Sequence, residues 1–342
     1  MKLALVCDGE PGLGSCQRLA VELRLLGADV TLISPEVSNE HWLPLQPLVA
    51  ASSDLLNGLD AVGVFLEGAQ LTQFRQVHLE SARLRGKRPC PLFTGPIRPL
   101  YGDTLMADLL PRLGYDLICL QGEAQMQELA WLVRGSQSAS QASEAIGLWC
   151  LPTEPLGHSN SQAPLLLVLD QQDIPPSPFA NGVLFQRLRT IALDCPSWQI
   201  RIQPDAPLKT EGAQEPTTSL AWHFQQDLYP PSNLQLGQVD DLAIALVQSS
   251  ACLGIASPWL LTAMVWGKPT VVLGDYGIRT DFNGPLFFGS GAMYQLADCV
   301  PLDRLAKLKR PNHQWLAERG WAIANGPQRL LRRLEQLVER QP

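Results

Sequence analysis

The chain has 342 residues, enough for two medium domains or one large one. Hydrophobic residues make up 46% and charged residues 17%, a globular balance that excludes general disorder. The net charge of −7 divides into +6 for residues 304–342 and −13 for the rest, so the whole-chain field repels phosphate backbones and excludes non-specific nucleic-acid binding.

In chain order, the first 35 residues read as a βαβ unit: an apolar strand Leu3–Cys7, a glycine-containing turn, an amphipathic helix over Cys16–Leu26, then Gly27 and a strand Asp29–Ile33. The pattern recurs as strand Asp60–Leu66, helix Gln73–Arg85, strand Pro91–Thr94, helix Thr104–Leu113, strand Tyr115–Leu120 and helix Glu123–Val133. Strands alternating with helices of this length predict a parallel sheet covered on both faces. From Gly135 the composition turns to Ser, Gln and Ala, and a strand-like Leu148–Leu151 leads into the turn-rich PTEPLGHSNSQAP, which marks a domain boundary.

A second series follows: strand Leu165–Leu169, helix Gly182–Leu193, strand Trp198–Gln203, a long loop over 204–222, strand Leu234–Leu236, helix Asp240–Gln248, strand Cys252–Ala256, helix Pro258–Trp266 and strand Thr270–Leu273. The basic stretch after Leu302 reads as helical, interrupted by Asn325-Gly326-Pro327. We therefore expect an α/β protein of two doubly wound, Rossmann-like domains facing a cleft, over 1–157 and 158–314, with C-terminal helices over 315–342 that cross back to the first domain. In such sheets ligands bind outside the carboxyl ends of the strands.

The eight cysteines are scattered and form no C-x-x-C pair, so they read as reduced core thiols of a cytoplasmic protein. The five histidines have no metal-ligand spacing, and neither a metal nor any cofactor is expected. The N-terminal apolar run is too short for a signal peptide, and no run is long enough to span a bilayer. The basic tail, with Trp315, Trp321, Arg329, Arg332 and Arg333, is either a peripheral contact with the inner membrane or the solvated face of a helix whose Leu330, Leu334 and Leu337 pack on the body.

Four strand ends carry the candidate chemistry. Ser257 and Pro258 open a helix, where free N–H groups and the dipole favour a phosphate, or where Ser257 simply caps. Gly274, Asp275, Tyr276 and Gly277 follow the next strand, with Asp275 either meeting a ligand hydroxyl or closing a tight turn. Ser290, between Gly289 and Gly291, lies in a loop of the same kind. After the first strand, Asp8, Glu10, Gly12 and Gly14 form a glycine loop with only two of the three glycines of a dinucleotide fingerprint, which argues against NAD. P-loop and nucleophile-elbow sequences are missing, which removes the main support for those hydrolases.

The segment Ser257–Pro269, with Gly267-Lys268-Pro269 before its strand, resembles the donor-site segment of GT-B glycosyltransferases. Together with Cys7-Asp8, Thr94-Gly95-Pro96, Gly114–Leu120, Trp198–Gln203, Gly274–Gly277 and Phe287–Gly291, it makes the chain similar to an uncharacterised bacterial glycosyltransferase family distantly akin to sialyltransferases and Kdo transferases. The resemblance implies a nucleotide-sugar donor, tilted toward a CMP-activated acid sugar, and a glycan or lipid-linked acceptor in surface polysaccharide assembly. It implies that Arg201, His223, Ser257, Pro258, Thr262, Gly274, Asp275, Tyr276 and Ser290 hold the donor, and that Gly12, Gly14 and Gly95 line the cleft. His223 either lies by the donor phosphate or stands in a solvent-exposed loop. Thr262 replaces a Glu that commonly binds the donor ribose, so ribose recognition must differ here. Asp8 is the first choice for the base that deprotonates the acceptor, with Glu10 and Glu67 its rivals. No Asp-x-Asp sequence occurs, which favours metal-independent transfer. A nucleotide-sugar epimerase or hydrolase on the same fold, and a non-catalytic nucleotide-sugar or glycan-binding protein, remain the alternatives.

Overall fold

The computed structural model describes the chain apart from residues 10–11, 36–40, 47–54, 56–57, 153–162, 172–173, 205–218, 239–241, 278, 280–283, 322, 324 and 341–342. It divides into two compact units, one of Met1–Pro152 with Leu316–Pro342 and one of Thr153–Trp315.

The first unit is built on β1 (Lys2–Cys7), α1 (Gly12–Leu25), β2 (Asp29–Ser34), β3 (Leu43–Pro44), β4 (Ala61–Phe65), α2 (Ala69–Leu84), β5 (Leu92–Thr94), α3 (Asp103–Leu109), β6 (Leu117–Leu120), α4 (Glu123–Leu132) and β7 (Ser143–Ala145). Its seven strands run in the order β3-β2-β1-β4-β5-β6-β7, and every pair is parallel. The apolar runs that announced β1 and β4 are buried from end to end, as a sheet covered on both faces requires. One face carries Leu3, Leu5, Phe65 and Phe93 against Leu19 and Leu23 of α1. The other carries Val6, Val62 and Val64 against Leu71 and Phe74 of α2.

The second unit contains β8 (Leu165–Asp170), α5 (Pro178–Asp194), β9 (Gln199–Pro204), α6 (Leu220–Gln226), β10 (Leu234–Leu236), α7 (Leu242–Gln248), β11 (Ala251–Gly254), α8 (Trp259–Val265), β12 (Thr270–Leu273) and β13 (Met293–Tyr294). Its six strands are again all parallel, in the order β10-β9-β8-β11-β12-β13. Both sheets thus share one winding, and the strand order reverses between β1 and β4 in the first unit and between β8 and β11 in the second. Those two reversals are where open α/β sheets present a crevice.

Three expectations are corrected. Leu148–Leu151 is a turn, and the last strand of the first sheet is instead Ser143–Ala145, at the end of the stretch rich in Ser, Gln and Ala that begins at Gly135. Asn325-Gly326-Pro327 does not interrupt a helix: Asn325 takes the left-handed conformation at φ 60° and Pro327 stands in the first turn of α9 (Gly326–Glu339). The segment read as a loop over 204–222 ends in α6, whose N-terminal N–H groups are capped by Ser219 and, across the sheet edge, by Asp170.

Leu330 and Leu334 of α9 are fully buried in the core of the first unit, Leu331 and Leu337 pack beside them, and Arg329 pairs with Glu144. This is the packed-helix reading of the basic tail. Among the described residues no helix is long and apolar enough to cross a membrane. All eight cysteines are free, seven of them buried.

Candidate active site

In the first unit the register Cys7↔Phe65 places the carboxyl ends of β1 and β4 side by side, so Asp8 and Glu67 emerge from neighbouring strands at the reversal of strand order. Glu67 is exposed and held by Arg98 at 2.9 Å. Asp8 is half-buried and, among the described residues, accepts only a long 3.4 Å contact from Nε2 of Gln70. Of the two carboxylates, Asp8 is therefore the one whose lone pairs are not committed to a cation. Glu10 lies outside the described residues.

The glycines of this edge serve packing. A Cβ on Gly95 would stand 2.1 Å from the carbonyl oxygen of Cys119, so no other residue fits between β5 and β6 there. Gly12 is buried against Ile97 and Cys7 at the start of α1, and Gly14 lies inside that helix. Beneath the edge, Arg112 is wholly buried and donates to Asp108 at 2.9 and 2.8 Å and to the hydroxyl of Thr94 at 2.7 Å, while Thr94 donates to the Val64 carbonyl. This network fixes the end of β5 just before Gly95. Sequence reading did not find Arg98 or Arg112, because neither sits in a recognisable motif.

In the second unit the predicted donor residues separate into two groups. Ser257 and Thr262 are fully buried: Ser257 Oγ accepts a 3.4 Å contact from the Trp259 N–H, and the Thr262 hydroxyl has no partner. Pro258 is half-buried and precedes the helix proper, which spans only Trp259–Val265. Ser290 is buried too, and its hydroxyl accepts from the Ala292 N–H. At the ends of β8 and β11 the Gln171 side chain accepts from the Ala256 N–H at 3.0 Å, and a space of only about 10 Å³ remains beside Val168, Leu253 and Leu273. Lys268 of the glycine-lysine-proline segment donates to the carbonyls of Val247 and Ser249 at 2.7 and 2.6 Å, satisfying the C-terminal end of α7. Desolvation holds its ammonium pKa below the usual lysine value.

Of the others, His223 and Asp275 line a cavity of about 1000 Å³ along α5. His223 belongs to α6 and not to an exposed loop. Its ring stacks on Phe185 at 6.0 Å and lies over Gly182, where a Cβ would come within 3.2 Å of the ring, and its Nε2 is shielded and without a partner. Asp275 opens a 3₁₀ turn after β12, with Gly274 and Tyr276 beside it. One carboxylate oxygen accepts from Arg187 of α5 at 3.1 Å and the other from the Leu296 N–H at 2.8 Å. Tyr276 is half-buried, and desolvation together with Asp275 pushes its phenol pKa up. Arg201 stands in the middle of β9, paired in register with Leu167 and Gln235, and so away from the strand ends.

Two further polar residues cap the sheet edge. Asp170, 3% exposed at the end of β8, accepts the N–H groups of Leu220 and Ala221 at 2.9 and 2.8 Å, and burial pushes its pKa up to about 6. Gln203 is buried at the end of β9, donates to the Gln238 carbonyl, and keeps an unpartnered Oε1.

Two parallel, identically wound α/β units in one chain define the GT-B class of fold. The UDP-GlcNAc 2-epimerase from Methanocaldococcus jannaschii is similar at a TM-score of 0.63 and 12% identity, over 98% of this chain and 100% of that one. The Neisseria meningitidis UDP-GlcNAc 2-epimerase bound to UDP-GlcNAc reaches 0.55 at 13% identity, over 99% and 100%, and the glycotransferase of kitacinnamycin 0.50 at 14%, over 100% and 99%. No curated protein matches the chain. Residues 50–337 match the model of the family described as "Putative glycosyltransferase (DUF6716)", and the chain belongs to that family of enzymes.

Proposed function

We propose that this glycosyltransferase takes its sugar from a nucleotide donor and passes it to a hydroxyl of a glycan or lipid-linked acceptor, with Asp8 as general base. The observation that carries the assignment of the base is the placement of Asp8 at the β1/β4 strand ends without a cationic partner among the described residues, beside a Glu67 already bound to Arg98. In the transfer the acceptor oxygen bonds to the anomeric carbon as its proton passes to Asp8, and the bond from that carbon to the nucleotide phosphate breaks, the phosphate leaving with the electron pair.

Support for a nucleotide donor comes from proteins of the same fold that hold UDP or UDP-GlcNAc, at TM-scores of 0.61 and 0.55. We place the donor at the strand ends of the second unit, around Gly274 and the unpartnered Oε1 of Gln203, with Ser257, Pro258, Thr262 and Ser290 shaping that edge from beneath. The donor is a CMP-activated acid sugar, transfer needs no chelated metal, and the product enters surface polysaccharide at the cytoplasmic face.

The test is thermal stabilisation by CMP, UDP, GDP, dTDP and ADP. A ligand at 100 times its Kd adds about 2.7 kcal/mol. One nucleotide is expected to raise the melting temperature, and Gly274→Phe, whose Cβ meets the Tyr294 carbonyl oxygen at an ordinary 3.6 Å, to abolish the rise. No shift with any nucleotide at millimolar concentration overturns the donor assignment. Because UDP-GlcNAc 2-epimerases share this fold, donor turnover is followed with and without acceptor. Consumption in its absence identifies an epimerase or hydrolase instead.

A further inference from the structure

We propose that the cavity along α5 is a binding site for an uncharged, predominantly apolar small molecule, distinct from the nucleotide. At about 1000 Å³ it stands at the upper end of the range for small-molecule sites. Phe179, Val183 and Ile191 of α5 form one wall, and Leu296 and Val300 form the other. Phe179 is 80% exposed, a large apolar surface offered to solvent at a concave site.

Charge decides the class of ligand. The cavity is lined by one arginine, Arg187, against two aspartates, Asp194 and Asp275, and the guanidinium is already taken by Asp275 at 3.1 Å. A nucleotide phosphate entering it meets net negative charge and no uncommitted cation among the described lining residues. Burying an anion there without a partner is costly, whereas an uncharged apolar body gains from every apolar area it covers.

The experiment titrates the full-length protein with N-phenyl-1-naphthylamine, an uncharged apolar fluorophore, in the presence and absence of millimolar CMP or UDP. We expect a saturable rise in fluorescence with one site per chain, unchanged by either nucleotide. Val183→Trp, which fills the middle of the cavity, should weaken binding at least tenfold, and Thr190→Trp, on the exposed side of the same helix face, serves if the first variant fails to fold. Tyr229→Ser, which removes an exposed aromatic outside the cavity, should leave binding unchanged. Non-saturable fluorescence, binding indifferent to both tryptophan variants, or displacement of the probe by a nucleotide each overturns the proposal.

Discussion

Replacing Arg112 by Leu should unlatch the end of β5. The substitution removes two hydrogen bonds to Asp108 and one to Thr94, all from a guanidinium with no solvent exposure. Breaking a buried ion pair from one side costs about 3–5 kcal/mol, because a charge is left uncompensated. Asp108 keeps 20% of its side chain in contact with water, and leucine restores apolar burial, so the loss belongs at the lower end, about 3 kcal/mol. At about 1.4 kcal/mol per decade this is a roughly hundredfold faster exchange of the β5 and β6 amides in native-state hydrogen exchange. That readout is preferable to a single melting curve, because two units need not unfold as one transition. The double variant Arg112→Leu/Asp108→Leu leaves no orphan charge and should be less damaging than the single one. Acceleration below tenfold, or a double variant as impaired as the single, would refute the reasoning.

Three other outcomes are expected. Gly95→Ala sets a Cβ 2.1 Å from the Cys119 carbonyl, and backbone must shift to admit it; we expect a loss of several kcal/mol, read as a lower urea midpoint for the first unit. Asp170 has a pKa raised to about 6 in the fold, so the native state holds the proton more tightly than the unfolded chain. Its contribution is present in full below the unfolded carboxylate pKa near 4 and is lost as pH rises through about 6, on the order of 3 kcal/mol for the shift. The stability difference between wild type and Asp170→Asn, measured in urea from pH 4 to 7.5, should move against wild type across that window, and a flat difference contradicts the assignment. Asp8→Asn should lower kcat by about 10²–10⁴ while leaving the nucleotide-induced melting shift intact, and near-normal turnover would pass the role of base to Glu67 or Glu10.

The strands were legible because a parallel sheet covered on both faces demands continuous apolar runs, and Lys2–Cys7, Ala61–Phe65 and Leu165–Asp170 have nearly nothing else. Ser143–Ala145 lacks that signal: it is an edge strand of polar composition, paired on one side only. The candidate site was legible where position along a strand decides it, as for Asp8, Glu67 and Asp275. It was not legible where the partner comes from a distant element. Arg187 meets Asp275 from a helix 88 residues earlier, and nothing in either local sequence predicts it. The segment Ser257–Pro269 shows the converse, since its Lys268 ties down the end of α7 instead of facing a ligand.

The first unit is assembled from both ends of the chain, and this sets an order for its synthesis on the ribosome. When Trp315 has been added, every strand of that unit exists, yet the places of Leu330 and Leu334 in its core are still vacant. Synthesis runs at about 5–20 residues per second, so α9 follows Trp315 by on the order of seconds and must clear the exit tunnel before it can dock. The second unit, continuous from Thr153 to Trp315, has its whole sequence available earlier. The N-terminal half is thus made first and packed last, and a nascent chain that has not yet released α9 presents an uncovered apolar face to the chaperones that meet it.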